Sequence, residues 1–419
     1  MFILQPKLKH FIQKLNLSYF ISKRIRNKKI NSFSGTIHSV AIASIGMGLA
    51  ILIIAFLVLG GFKDTIRDKM VSFDGHLQII KYTLSSSFEE QPIAKNPGLL
   101  QLLKNMPETQ NTMYYAHKTG LLKANEEVEG VLLKGIDNQF DSGIFKTNMV
   151  KGRFIHLNDT SDTKEIVISQ KLADKLLLQI GDRPLIYFIQ EPIKVRRLTI
   201  TGIYETGMED FDERVIIGDL KLVQSVNDWP DSLVGGVTVH IEDFKKLDHY
   251  YDDVNRAIPA DMYPMKVTDK FREIFDWLEL LNTNVAILIT IILFVASFNM
   301  ISILLIMIME RTTMIGLLKA LGAEDFTIRK IFTYNGVMLV VKGMVVGNII
   351  GIGLGLIQDR LRLIHLDPEN YYMSYVPISW DITSILLVNL FTVLLVGMVL
   401  LLPTLIISRM NPVQSIRFD

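Results

Sequence analysis

Hydrophobic and polar positions follow two regimes along this chain. Residues 39–62, 284–309 and 382–407 contain no charged side chain, and residues 334–357 contain only Lys342. Crossing about 30 Å of hydrocarbon takes roughly 20 consecutive apolar residues, so each stretch predicts a membrane-spanning helix. Lys342 lies about two turns in from one end, where its long stem can carry the charge toward the headgroups. A cleaved leader is the competing reading of 39–62, but a leader has a shorter apolar core and starts earlier. Residues 63–283 behave differently, with short apolar runs alternating with helix-patterned ones. Runs at 76–82, 130–133, 165–168, 185–189, 198–203, 214–217 and 237–241 read as strands. Those at 98–105, 170–177, 219–226, 243–257 and 270–281 read as helices, the last predicting a rigid stalk that continues into the second span. The expected fold class is an α-helical membrane protein with four transmembrane helices plus a large extracytoplasmic mixed α/β domain.

Charge placement orients this arrangement. Residues 1–38 carry eight basic side chains and no acidic one, with Leu8, Phe11, Ile12, Leu15 and Tyr19 at helical spacing. That pattern predicts a basic amphipathic helix lying on the membrane face, against the alternative of a solvated basic tail. The 310–333 loop adds Arg311, Lys319, Arg329 and Lys330, and the 408–419 tail adds Arg409 and Arg417. Positive charge is retained on the cytoplasmic side, so both termini and the 310–333 loop are expected there. The insert at 63–283, with 27 basic and 35 acidic residues, and the short loop at 358–381 are expected outside.

Composition removes several classes of chemistry. The 419 residues include no cysteine, which excludes disulfides, thiolate metal sites and a cysteine nucleophile. No GxxxxGK[ST] loop, HExxH pair or GxSxG elbow occurs, and the dipeptide Gly-Lys is absent. The acidic cluster Asp248, His249, Asp252 and Asp253 falls on a predicted helix, where a solvated charged face is the simpler reading than a metal site. The apolar stretches hold no carboxylate or histidine of the kind a proton-coupled carrier or intramembrane protease uses. A membrane enzyme with its site in the insert would lack any recognisable catalytic set.

Two features remain. Gly343, Gly347, Gly351 and Gly355 recur every four residues in the third span, one stripe of a helix along which another backbone can approach closely, within the chain or between subunits. In the 310–333 loop, Ile315, Leu318 and Leu321 repeat at three-residue spacing and Gly322 offers a stop, predicting a short amphipathic helix.

The run Arg311-Thr312-Thr313-Met314-Ile315-Gly316-Leu317-Leu318-Lys319-Ala320-Leu321-Gly322-Ala323 resembles the R-x-x-x-I-G-[IL]-L-[KR]-A-L-G-A signature of the FtsX/MacB superfamily of ABC-transporter permeases. The tail from Arg409 to Arg417 resembles that family's terminal R-x-x-P-[VI]-x-[AS]-[LI]-R pattern. The runs Gly60-Gly61-Phe62 to Met70 and Thr201 to Asp212 are similar to segments of the lipoprotein-releasing branch, of LolC/LolE type. One departure is Met314, where the family often has an acidic residue.

This resemblance implies an insert of the MacB-like periplasmic core type in a bacterial inner-membrane protein. It further implies a permease that works with cytoplasmic ABC ATPase subunits and a second permease subunit, identical or related. Such a permease extracts lipoproteins from the outer leaflet and passes them to a periplasmic carrier. ATP and Mg would sit on the partner ATPase and no cofactor on this chain, with membrane lipids but not nucleic acid among its partners. Arg311, Ile315, Gly316, Leu318, Lys319, Leu321 and Gly322 would form the coupling helix docking on that ATPase. Met47, Leu57, Phe298, Met300 and Ile303 are candidates to line an adaptable apolar cavity for acyl chains. A hairpin around Gln190, Glu191 and Pro192 would be the carrier hook, although it is short. A subunit without a hook and a sole permease acting as a homodimer both stay open. The alternative within the superfamily is a mechanotransmission permease that regulates a cell-wall hydrolase or drives efflux.

Overall fold

The computed structural model describes residues 33–82, 90–124, 126–140, 148–157, 163–367 and 371–404. Most of the expected N-terminal helix and the whole 408–419 tail, with its Arg409 to Arg417 motif, lie outside the described residues. Two compact units emerge. One comprises Met1–Phe62, Leu278–Ile364 and Val376–Asp419, the other Lys63–Trp277 and His365–Tyr375. Part of the loop expected at 358–381 thus belongs to the second unit rather than to the helices it connects.

Among the described residues, four helices are long and apolar enough to cross a membrane. The first, α1, is Phe33–Asp74 and outruns its apolar stretch by twelve residues, because nothing in 63–74 breaks a helix. It stops at Gly75, whose φ of +69° and whose closeness to Thr238 exclude a side chain.

In chain order the second unit then contains β1 (Leu77–Lys81), β2 (Ile93–Ala94), α2 (Pro97–Lys104), β3 (Thr109–Ala124), β4 (Glu127–Ile136), β5 (Met149–Gly152) and β6 (Glu165–Ser169). Next come α3 (Gln170–Lys175), β7 (Leu185–Phe188), β8 (Lys194–Arg197), β9 (Thr199–Tyr204), α4 (Glu209–Asp212), β10 (Val215–Asp219) and α5 (Leu220–Asn227). The unit closes with β11 (Leu233–Val234), β12 (Gly236–Ile241), α6 (Leu247–Ala257), β13 (Met262–Lys266) and α7 (Val267–Lys270). The remaining helices are α8 (Arg272–Glu310), α9 (Thr312–Ala320), α10 (Asp325–Leu361) and α11 (Ile382–Thr404).

The main sheet runs β13-β1-β12-β3-β4-β10-β6-β9-β5, with the β7–β8 hairpin attached to β3. The β4–β10 and β6–β9 pairs are parallel and the others antiparallel, a mixed sheet as expected. β3, its longest strand, was not foreseen: five consecutive residues, Thr112 to Ala116, are buried, so the period-two signal of a half-buried strand is missing. The stalk also differs from expectation. Lys270 ends the single turn α7, Phe271 breaks the path at φ −112° and ψ 42°, and only then does α8 begin.

In the helical unit three apolar layers stack along the helices. Ala41, Ile303, Met307, Ile315, Ile328 and Phe332 form one, Ile45, Met300, Leu304, Val340 and Leu400 the next, and Leu49, Ile53, Leu57, Leu293 and Val388 the third. Asn348 on α10 and Asn389 on α11 exchange amide hydrogen bonds of 2.7 and 3.0 Å, a polar clasp between two apolar helices.

Candidate coupling helix and transport elements

The expected amphipathic helix is present as α9. Its C-terminus closes in a Schellman motif: the Ala323 amide donates to Leu318 O at 2.9 Å and the Gly322 amide to Lys319 O at 3.0 Å. Gly322 takes φ +84°, the left-handed conformation that this cap requires and glycine adopts without penalty. Ile315 is fully buried, and Met314, Leu318 and Ala323 pack against the same apolar layer. Met314, in place of an acidic residue, therefore contributes apolar contact where a carboxylate would need a cation.

The three-residue repeat does not form one face. Ile315 and Leu318 turn inward, but a spacing of three falls short of the 3.6-residue turn, so Leu321 comes round about 120° from Ile315, where it is 76% exposed. Leu317 at 57% and Phe326 at 62% are exposed as well, and neither was singled out from the sequence. The helical period would have found Leu317, which lies about 200° around the helix from Ile315; Phe326 lies beyond the turn and carries no periodic signal. Lys319 is committed within the chain, its ammonium 3.0 Å from Asp325, and Gly316 is buried. Arg311 is half-buried where α8 ends, its amide bonded to Ile308 O. The surface α9 presents is thus Thr313, Leu317, Ala320 and Leu321, a small apolar ridge, and not the full set named from the motif.

The glycine stripe meets α1. A Cβ on Gly343 would lie 2.7 Å from Ile45 Cβ, on Gly347 2.7 Å from Gly46 O, on Gly351 3.0 Å from Ile53 Cβ and on Gly355 2.9 Å from Leu57 Cδ1. Of the two options left open by the sequence, the stripe serves contact within the chain. Lys342 sits beside it on the exposed face of α10.

The five candidate cavity residues are not brought together. Leu57, Met300 and Ile303 are buried in the helix-packing layers, each in a different one, whereas Met47 and Phe298 are 64% and 56% exposed. Sequence alone placed all five on apolar helices, and only the packing sorts inward from outward.

Gln190, Glu191 and Pro192 do form the tip of a hairpin. Phe188 pairs with Lys194, so the loop spans only residues 189–193. It is held down by Gln190 Nε2 donating to Val226 O at 3.0 Å and by the Lys194–Asp228 ion pair at 2.5 Å, leaving Ile189 and Ile193 exposed beside Pro192. The Thr201 to Asp212 run is the end of β9, a tight turn and α4, and the turn is closed by the Asp212 carboxylate, which accepts from the Thr206 hydroxyl at 2.8 Å and the Gly207 amide at 2.9 Å. Burial raises the Asp212 carboxyl above the usual range despite these donors. Lys69 Nζ donates to the carbonyls of Thr206 and Tyr372, and burial lowers its pKa.

Among the described residues no group of three or more potential metal ligands converges. His249 stands 3.8 Å from Asp253, which is taken by Arg256, and Asp248 is taken by Lys266.

Comparison with known proteins fits this architecture. Residues 39–256 match the MacB-like periplasmic core domain and residues 286–412 the FtsX-like permease C-terminal domain. Over 413 residues the chain is 21% identical to the lipoprotein-releasing system transmembrane protein LolC of Xylella fastidiosa, covering 94% of this chain and 97% of that protein. It is 23% identical to LolC of Neisseria meningitidis over 424 residues, covering 94% and 97%. It is also 21% identical to LolE of Haemophilus influenzae over 424 residues, covering 96% and 99%. With its four apolar helices and mixed-sheet insert, and with similarity to lipoprotein-releasing transmembrane proteins along nearly its whole length, the chain belongs to the FtsX/MacB superfamily of ABC-transporter permeases of the bacterial inner membrane.

Proposed function

We propose that this chain is the permease subunit of an ATP-driven complex that lifts lipoproteins from the outer leaflet of the inner membrane and hands them to a periplasmic carrier. The observation that carries this reading is similarity to lipoprotein-releasing proteins along nearly the whole of both chains, spans and insert together. In this reading both termini and α9 face the cytoplasm, consistent with the basic residues clustered there. A separate ATPase subunit hydrolyses ATP with its Mg, and this chain binds neither. The ridge of Leu317 and Leu321 inserts into that ATPase, with Ile315 fixing α9 to the span layers behind it. Membrane lipids and a second permease subunit surround the spans. The exposed Met47 and Phe298 face the acyl chains, while Leu57, Met300 and Ile303 hold the helices together in their separate packing layers. The five-residue hairpin tip offers Ile189 and Ile193 to the carrier, a contact much smaller than a protruding hook.

The test is to deplete the protein in its own bacterium and fractionate the envelope. Outer-membrane lipoproteins accumulating in the inner membrane are the expected result. Normal sorting overturns the lipoprotein reading and leaves the mechanotransmission permease acting on a hydrolase or efflux partner.

A further inference from the structure

Three bridges tie the end of α1 to the segment running from the end of α7 into the first turn of α8, and all three lie within the sheet unit. Closest to the helix end, the Asp74 carboxylate uses both oxygens: Oδ1 accepts from Lys134 Nζ on β4 at 2.6 Å and Oδ2 from Lys270 Nζ at 2.8 Å. Lys134 Nζ also donates to Phe73 O, and Lys270 Nζ to Gln78 Oε1 at 3.1 Å. Asp74 and Lys134 are buried, whereas Lys270 is 28% exposed. The second bridge is aromatic, Phe73 packing on Phe211 at 4.7 Å between ring centroids and Phe211 on Phe271 at 5.6 Å. In the third, Arg67 lies over Phe244 at 5.3 Å and Phe244 stacks on Phe275 at 6.0 Å.

These bridges bracket the one place where the chain entering the second span is not helical. Phe271 interrupts the helix between α7 and α8, and an interruption of this kind bends under load unless its flanks are held. The ionic bridge holds Lys270 on one side of it, Phe211 holds Phe271 itself, and Phe244 holds Phe275 one turn into α8. The ionic bridge is also the only one of the three that reaches the middle of the sheet, through Lys134 on β4. A carboxylate buried between two ammonium groups resists separation, because opening it strands charge away from water.

We propose that Asp74, Lys134 and Lys270, with the two aromatic bridges, form a rigid joint that locks both helix ends to the sheet, so that movement of the spans drives the insert instead of being absorbed at Phe271. Lys270 is a positioning residue in this joint. Its consequence for transport rests on the permease reading above, but its stiffness does not.

The chain has no cysteine, so spin labels can be placed by Lys123→Cys on β3 and Asp276→Cys on α8, both exposed positions outside the joint. Pulsed electron–electron distance measurement on the full chain in lipid nanodiscs gives the width of the sheet-to-α8 distance distribution. Lys270→Met, which keeps bulk and removes the bond, is expected to widen it about two-fold, while Lys270→Arg keeps the original width. Phe275→Leu breaks the third bridge at a half-buried site and widens it too, which keeps the test decisive if Lys270→Met does not fold. Unchanged width in whichever of these two variants folds overturns the joint. In the assembled complex, Lys270→Met is expected to hydrolyse ATP within about two-fold of the parent while cargo release falls about ten-fold. Equal loss of hydrolysis and release overturns the coupling role, and a widened distribution in cells whose lipoproteins sort normally would retain the joint and discard the cargo.

Discussion

Adding one methyl group at Gly347 tests the packing of the spans. Its Cβ would sit 2.7 Å from Gly46 O and 2.9 Å from Leu49 Cβ, against an ordinary contact distance that begins at 3.4 Å. The nearer obstacle is backbone, which no rotamer change can move, so α1 and α10 must separate by about 0.7 Å over this turn. Overpacking of this size costs about 1–3 kcal/mol, and the better helix propensity of alanine returns up to about 1 kcal/mol. Gly347→Ala should therefore lose about 1–2 kcal/mol. Gly353 on the same helix has nothing within 4 Å of its would-be Cβ, so Gly353→Ala carries the propensity gain without the clash. The measurement is the temperature at which the detergent-solubilised protein loses its monodisperse chromatographic peak. For a cooperative unit of about 150–250 residues, the size range of the helical unit, each kcal/mol is worth about 2–4 °C, so a drop of a few degrees is expected for Gly347→Ala and none for Gly353→Ala. Because the contact is within one chain, the drop should not depend on protein concentration. Equal behaviour of the two variants, or a shift that vanishes on concentrating the sample, would refute the argument.

At the coupling helix, Leu317→Glu and Leu321→Glu should uncouple ATP hydrolysis from release in the assembled complex while the permease remains folded, since both side chains are exposed. Ile315→Ala, at a fully buried position, should instead cost about 2–4 kcal/mol and appear as lost thermal stability. Burial, with His240 and Arg67 nearby, pushes the His76 imidazole down to about 3, far below its ordinary value of 6.5. The unfolded chain then binds the extra proton between those values, so the stability contributed by neutral His76 is complete above about pH 6.5 and is lost as pH falls toward 3. Denaturant melts at pH 7 and pH 5 should show this slope, and His76→Gln should flatten it. Asn389→Ala removes the amide exchange with Asn348 and should cost about 1 kcal/mol, read as a lower melting temperature; Asn348→Ala combined with it should add little.

The spans, the helical 310–333 loop and the mixed insert were legible in the sequence because each depends on local quantities: apolar length, helical period and strand-length runs bounded by turns. Gly322 as the helix stop was legible too, since a left-handed cap is a property of a few consecutive residues. Other decisions belonged to the tertiary structure. The glycine stripe announced close approach but not its partner, and only packing assigned it to Ile45, Gly46, Ile53 and Leu57 of α1. β3 escaped notice because both of its faces are covered over Thr112 to Ala116, and coverage is conferred by elements distant in the chain. Met47 and Leu57 look alike as apolar residues of one helix, yet one faces outward and the other lies in a packed layer. Asp74, Lys134 and Lys270 are separated by dozens of residues and carry no motif, and they become a single charge cluster only when two helix ends converge on the sheet. Periodicity can say that a residue has an inner or outer face within its own element, but the neighbour across that face is chosen by non-local contacts, which local sequence does not encode.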